Sequence, residues 1–294
     1  MPEAPSSRWS DLERPALDGA ALSAVLTRES GGLWRAIEVV GEIGSTNAEL
    51  VRAAGEDAPE GTVLVAEHQA AGRGRLDRTW ISPPRAGITV SFLLRPDVPA
   101  ARRGWLPLLT GVALAESVAE ITGVLPSLKW PNDLLARDGR KLAGILAEAT
   151  SSPTRPTAVV VGVGLNVSTT AEELPDTGTS LSRVTGATVD RAPVLIGFLR
   201  AVEQRYRRWT EHLGDPVASG LAQDYLAWSS TVGATVAVDL PDGSTLEGVA
   251  EAVDWDGRLV VVTAQGRAEL ATGDVRHVRT GSAEARRRGS PASS

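Results

Sequence analysis

The densest set of reactive side chains lies in the stretch Glu67-His68-Gln69-Ala70-Ala71-Gly72-Arg73-Gly74-Arg75-Leu76-Asp77-Arg78-Thr79-Trp80, directly after the apolar run Thr62 to Ala66. Arg73, Arg75 and Arg78 fall within six positions and offer bidentate donors for a phosphate or a carboxylate. Gly72 and Gly74 permit unusual backbone angles and close approach of a ligand to the chain. Trp80 offers a flat apolar face on which a base can stack. Taken alone, the loop is explained equally well as a solvated basic turn, or as a Gly-Arg arm of the kind that enters DNA minor grooves.

Three further stretches add to it. In Leu128-Lys129-Trp130-Pro131-Asn132-Asp133-Leu134-Leu135, polar Lys129, Asn132 and Asp133 are embedded between apolar residues, and a buried charge must be paired or used. Turn chemistry explains Asn132 and Asp133 but not Lys129-Trp130. In Gly139 to Glu148, Lys141 stands at the mouth of an apolar strand that contains Gly144, and a strand glycine often marks the approach of a ligand or another backbone. A solvated hairpin lysine is the plain rival reading. In Val161-Gly162-Val163-Gly164-Leu165-Asn166 the third glycine of a dinucleotide fingerprint is missing, so a glycine-kinked strand accounts for it. Neither GxxxxGK[ST] nor GxSxG occurs, so any ATP site is not a P-loop and a hydrolase elbow is unsupported.

These residues need a frame. With 294 residues, the chain is long enough for a main domain and a smaller one. Apolar residues make up 42% and charged residues 22%, ordinary for a globular protein with a sizeable core. The net charge of -6 argues against general nucleic-acid binding. No cysteine occurs, which excludes disulfides and thiolate chemistry. With no signal-peptide pattern at Met1-Pro2-Glu3-Ala4, and no apolar stretch of membrane-spanning length, a cytoplasmic protein without a membrane partner is expected. His68, His212 and His277 are widely spaced, so no metal site is expected.

Periodicity predicts helices over Ala16–Thr27, Gly104–Ile121 and Ala192–Leu213, and buried strands over Thr62–Ala66, Ile88–Leu94, Leu142–Ala147 and Ala158–Val167. After Trp228 the texture changes. Thr235–Leu240, Thr245–Val253, Arg258–Thr263 and Ala268–Leu270 alternate between Gly-containing turns, which suggests a small barrel. The expected division is an N-terminal segment over 1–33, partly disordered; a catalytic domain over 34–229; a barrel over 230–280; and a disordered tail over 281–294.

In this order and spacing, the GRGR, KWPND and KLAGIL motifs, with Gly44-Ser45-Thr46-Asn47 upstream, resemble the biotin protein ligases over about residues 34–280. Asp77 departs from the family, which usually has glycine there. The resemblance implies an α+β fold: a mixed sheet with helices related to class II aminoacyl-tRNA synthetases and to biotin and lipoate ligases, followed by an SH3-like β-barrel. Only 44 residues precede Ser45, with one helix among them, so the short form without the DNA-binding domain is expected. The implied reaction joins biotin to AMP from ATP, then passes biotin to a lysine of a biotin carboxyl carrier protein or domain of biotin-dependent carboxylases. Mg²⁺ is expected on the phosphates. Ser45, Thr46, Asn47, Gln69, Gly74, Gly144 and Gly162 are implied around biotin, together with Arg73, Arg75 and Lys141. Trp80, Lys129, Asn132, Arg78, Gly164 and Asn166 are implied around ATP, again with Arg73 and Arg75. Lys141, Arg73 and Arg75 are the cations expected to lower repulsion between carboxylate and phosphate, and Asp133 is expected to orient or deprotonate the incoming lysine. The rival readings are a lipoate or octanoate ligase, which needs no polar ureido-binding set, a DNA-binding biotin-responsive repressor, and a binding module built on the barrel alone.

Overall fold

The structure, a computed structural model, describes residues 14–29, 32–75, 78–151 and 156–278. The ends read as disordered, residues 1–10 and 281–294, lie outside the described residues, as does Asp77.

The apolar runs become the middle of a seven-stranded sheet. Its strands are β1 (Ala36–Val40), β2 (Thr62–Ala66), β3 (Gly87–Leu94), β4 (Ser127–Lys129), β5 (Asp133–Leu135), β6 (Lys141–Thr150) and β7 (Ala158–Asn166). The order is β1-β2-β3-β7-β6-β5-β4, with β1 and β2 parallel and the other pairs antiparallel. Every residue of β3 is buried, including the hydroxyl residues Thr89 and Ser91 that interrupt its apolar run.

Helices cover both faces. On one face lie α3 (Leu106–Thr122) and α5 (Arg191–Glu211), which pack on each other. A 3-10 turn, Ala100–Trp105, leads into α3. Phe92 meets Trp34 edge-on at 5.5 Å and Phe198 at 6.1 Å between ring centroids. The stretch Ala100–Thr122 is long and apolar enough to cross a membrane, although no span was expected; two-thirds of its most apolar window (67%) is buried inside the protein, as befits a core helix. The helix α1 (Gly19–Glu29) packs on β1 and α5, on that first face, and on the other face lies the shorter α2 (Thr46–Gly55). Leu50 and Ala54 of α2 cover Leu64, Leu93 and Val160. Two short helices, α4 (Leu181–Thr185) and α6 (Leu221–Trp228), complete the layer set.

A five-stranded antiparallel sheet follows: β8 (Thr235–Asp239), β9 (Thr245–Val253), β10 (Leu259–Thr263), β11 (Gly266–Leu270) and β12 (Asp274–His277), in the order β11-β10-β9-β8-β12. It docks on the first sheet through tryptophan. The Trp130 indole N–H donates to the Gly257 carbonyl at 3.1 Å, and that of Trp105 to the Asp254 and Trp255 carbonyls at 3.1 and 3.0 Å. Arg102 pairs with Asp256 at 3.0 Å. The role of Trp130, unexplained by turn chemistry, is therefore to fasten the two sheets together.

Candidate functional site

One cavity of about 560 Å³ opens on the face that carries α2. Its position follows from strand alternation. On that face β3 presents Leu93, Ser91 and Thr89 in turn, and β7 presents Val160, Gly162 and Gly164. Register pairs Ser91 with Gly162 and Thr89 with Gly164; β6 adds Leu146 opposite Gly162 and Gly144 opposite Gly164. The apolar cover of α2 ends at Leu93 and Val160. Beyond it β3 and β7 carry glycines and small hydroxyls, with Leu146 of β6 beside them, and the cavity is the volume that larger side chains would fill.

The glycines are required. A Cβ at Gly162 would stand 2.3 Å from the Asn47 Oδ1, and one at Gly164 would stand 2.3 Å from the Trp80 ring. Trp80 therefore lies flat against bare strand backbone. The Lys141 ammonium is 5.7 Å from its ring centroid.

The closed end of the cavity is polar. Ser45 caps α2, its side chain accepting from the Ala48 N–H at 3.4 Å. The Thr46 N–H donates to the Gln69 Oε1 at 2.7 Å. Thr46 and Ser91 hydroxyls stand 2.7 Å apart, and Ser91 donates to the Asn47 Oδ1 at 2.8 Å.

The rim is cationic. The arginine loop closes as a narrow hairpin: Trp80 N–H donates to the Gly72 carbonyl at 3.0 Å and Gly74 N–H to the Arg78 carbonyl at 2.6 Å. Gly72 thus serves close approach rather than an unusual backbone angle, since a Cβ there would meet the Trp80 carbonyl. Arg73 is exposed at the rim. Arg75 reaches across to the second sheet, donating to the Thr272 hydroxyl at 2.6 Å, and also to the Asn132 Oδ1 at 3.2 Å. Burial lowers the Arg75 pKa from its ordinary value, against the opposing pull of Asp133 and Asp274. Arg78 pairs with Asp274 at 2.5 Å, and this carboxylate raises its pKa.

The KWPND stretch forms a hairpin, β4 to β5, so the turn chemistry holds. It places Lys129 opposite Asp133. Asp133 lies 2.6 Å from the Lys141 ammonium and 3.6 Å from that of Lys129. Asn132 is fixed by its amide donating to the Ile145 carbonyl at 2.9 Å, and Asn166 by donating to Thr179 at 3.1 Å.

The cavity lining brings together Ser45, Thr46, Asn47, Gln69, Arg73, Gly74, Arg75, Arg78, Trp80, Asn132, Asp133, Lys141, Gly144, Gly162, Gly164 and Asn166, as the sequence reading anticipated. Lys129 is the correction. It is not among the lining residues; its ammonium stands 3.6 Å from Asp133 Oδ2, on the carboxylate that does line the cavity. Sequence reasoning missed Thr89 and Ser91, whose signal was two hydroxyls spaced by two in an otherwise apolar strand. It also missed Glu172, Glu173, Leu174 and Pro175, and the second-sheet residues Gly273 and Asp274. Among the described residues no group of three or more His, Asp or Glu could hold a metal ion.

A polar-floored, arginine-rimmed cavity on a mixed sheet is the arrangement of a group-activating ligase, and comparison with known proteins agrees. The model of the biotin/lipoate A/B protein ligase family matches residues 43–166. The biotin–[acetyl-CoA-carboxylase] ligase of Mycobacterium tuberculosis is 43% identical over 274 residues, 92% of this chain and 98% of that one. A bifunctional ligase/repressor of Bacillus subtilis is 35% identical over 240 residues, 79% of this chain and 71% of that one. Among solved structures, a biotin protein ligase from Aquifex aeolicus, in complex with biotin and ATP, superposes with a TM-score of 0.67 at 27% identity, covering 82% of this chain and 99% of that one. The chain belongs to the biotin protein ligase family.

Proposed function

We propose that this protein activates biotin with ATP in the cavity and transfers it to a lysine of a biotin carboxyl carrier protein or domain in the cytoplasm. The observation that carries this reading is the joining, in one cavity, of a polar closed end to a cationic rim with Trp80 between them. The closed end suits the ureido ring, which has N–H groups to donate and a carbonyl to accept. An alkyl chain, as in lipoate or octanoate, would leave their remaining hydrogen-bonding capacity unused, at about 1–3 kcal/mol for each donor or acceptor without a partner.

In the first step a biotin carboxylate oxygen attacks the α-phosphorus of ATP, and pyrophosphate leaves. Two anions must meet. Lys141, Arg73, Arg75 and Arg78 supply the positive field that lowers their repulsion. Trp80 is the face for adenine, and Asn132 and Asn166 line its surroundings. Mg²⁺ would neutralise phosphate charge. Of the lining carboxylates, Asp133, Glu173 and Asp274 are already paired with Lys141, Arg14 and Arg78, so the donor set fits a hydrated ion carried on the phosphates rather than a protein cage.

In the second step the carrier amine attacks the acyl carbon, and AMP leaves with the bonding pair. Asp133 is engaged by two ammonium groups, which favours its holding Lys141 and an incoming lysine in place over its removing a proton. The five-stranded unit is taken as SH3-like, with its Thr272-Gly273-Asp274 segment forming one wall of the cavity.

Incubation with ATP, biotin and an isolated carrier domain is expected to add one biotin to one carrier lysine, detected by mass spectrometry. An unmodified carrier, with adenylate accumulating, would contradict the transfer step.

A further inference from the structure

The polar closed end is wired to a carboxylate that does not line the cavity. Asn47 donates from Nδ2 to Glu148 Oε2 at 2.7 Å, and at 3.3 Å to the Leu146 carbonyl. Glu148 lies on β6 two residues beyond Leu146, on the same face, in register with Val160. Asn47, Ser91 and Thr46 are all buried, at 4%, 0% and 2% exposure, so each proton in this group must have a defined place.

The direction of those protons follows from Glu148. A carboxylate accepts and cannot donate, so the amide nitrogen of Asn47 must face it. The Asn47 Oδ1 therefore faces Ser91, and Ser91 spends its one proton there, at 2.8 Å. In the 2.7 Å contact between Thr46 and Ser91, Thr46 is then the donor, its one proton taking this shorter contact over the 3.0 Å contact to Gln69 Oε1. In this chain the Thr46 and Ser91 protons run toward Asn47, and so toward Glu148. What remains toward the cavity is lone pairs on Thr46 and Ser91, an acceptor surface.

Resting on the ligase reading above, we infer that Glu148 is the positioning residue that sets the hydrogen-bond polarity of the cavity floor, so that the floor selects a ligand head group donating N–H. Glu148 touches no substrate; it acts through the Asn47 amide. Without it only the longer 3.3 Å hydrogen bond to the Leu146 carbonyl holds the amide, which can then turn over and present N–H₂ to Ser91. The hydroxyl chain then reverses, and donors face donors.

The test is ATP–pyrophosphate exchange with wild type, Glu148→Ala and Glu148→Gln, with biotin and with desthiobiotin, which keeps the ureido ring and lacks the thiophane. Glu148→Ala is expected to raise the KM for biotin about tenfold, with kcat and the KM for ATP within about twofold of wild type. Desthiobiotin should lose the same factor, because the defect lies at the N–H groups they share. Glu148→Gln keeps an acceptor for Asn47 and should restore the KM to within about threefold of wild type. Unchanged biotin KM in the alanine variant would overturn the inference. So would a parallel rise in the ATP KM, a loss confined to biotin, or a glutamine variant as poor as alanine. Wild type lacking biotin-dependent exchange would instead sink the ligase reading, and this inference with it.

Discussion

Lys141→Ala is expected to lower biotin-dependent ATP–pyrophosphate exchange by about 10²–10³, or roughly 2.7–4 kcal/mol of transition-state stabilisation. The lysine sits where β6 begins, its ammonium 2.6 Å from Asp133 and beside the Trp80 ring. In the proposed first step it is the cation best placed between the reacting carboxylate and the α-phosphate. Its backbone role is separable: Lys141 N–H donates to the Thr177 carbonyl at 2.8 Å, and its carbonyl accepts from the Thr179 N–H at 2.9 Å. Both bonds survive truncation. The side chain is partly exposed, so stability should change by no more than about 0.5 kcal/mol, seen as a melting shift of a few degrees at most. Exchange at the wild-type rate would remove Lys141 from the reaction.

Arg75→Gly is expected to separate synthesis of the adenylate from its retention. Arg75 is the residue of the arginine loop that spans the cavity mouth, bonding Asn132 on one side and Thr272 on the other. A closed mouth keeps water from a reactive anhydride until the carrier arrives. Loss of a charge-assisted contact is worth roughly 1.5–3 kcal/mol, so dissociation of the adenylate should quicken about ten- to a hundredfold. Arg73 and Lys141 remain to support the first step. The variant should therefore label exposed lysines on an unrelated protein incubated with it, ATP and biotin. Intact adenylate formation with no bystander labelling would show that Arg75 does not hold the mouth closed.

The parts of this molecule legible in the sequence are those whose signal is local. The strand Thr62–Ala66 matches its apolar run and Thr245–Val253 its alternation, and the two long helices start and stop within a few residues of their periodicity. The strand Asp274–His277 escaped because it has four residues, two of them exposed, and pairs with β8, some 35 positions earlier in the chain. The helix Thr46–Gly55 escaped because four buried residues among ten give a narrow apolar stripe, although Ser45 is a good cap. At the site, the motifs located the rim and the glycines. The partners of the arginines did not show, since Arg78 and Asp274 are 196 residues apart. Glu148 did not show either: a glutamate in a partly buried strand reads as solvent-facing until register sets it beside Asn47. Lys129 was drawn into the site by its motif, whereas its ammonium pairs with Asp133 without lining the cavity.

The central claim, that this cavity activates biotin with ATP, is tested most directly by ATP–pyrophosphate exchange measured with biotin, then with lipoate and with octanoate. Exchange that depends on biotin, with little for either alkyl acid, is the predicted result. Exchange driven equally or better by lipoate or octanoate, or none with biotin, would contradict it.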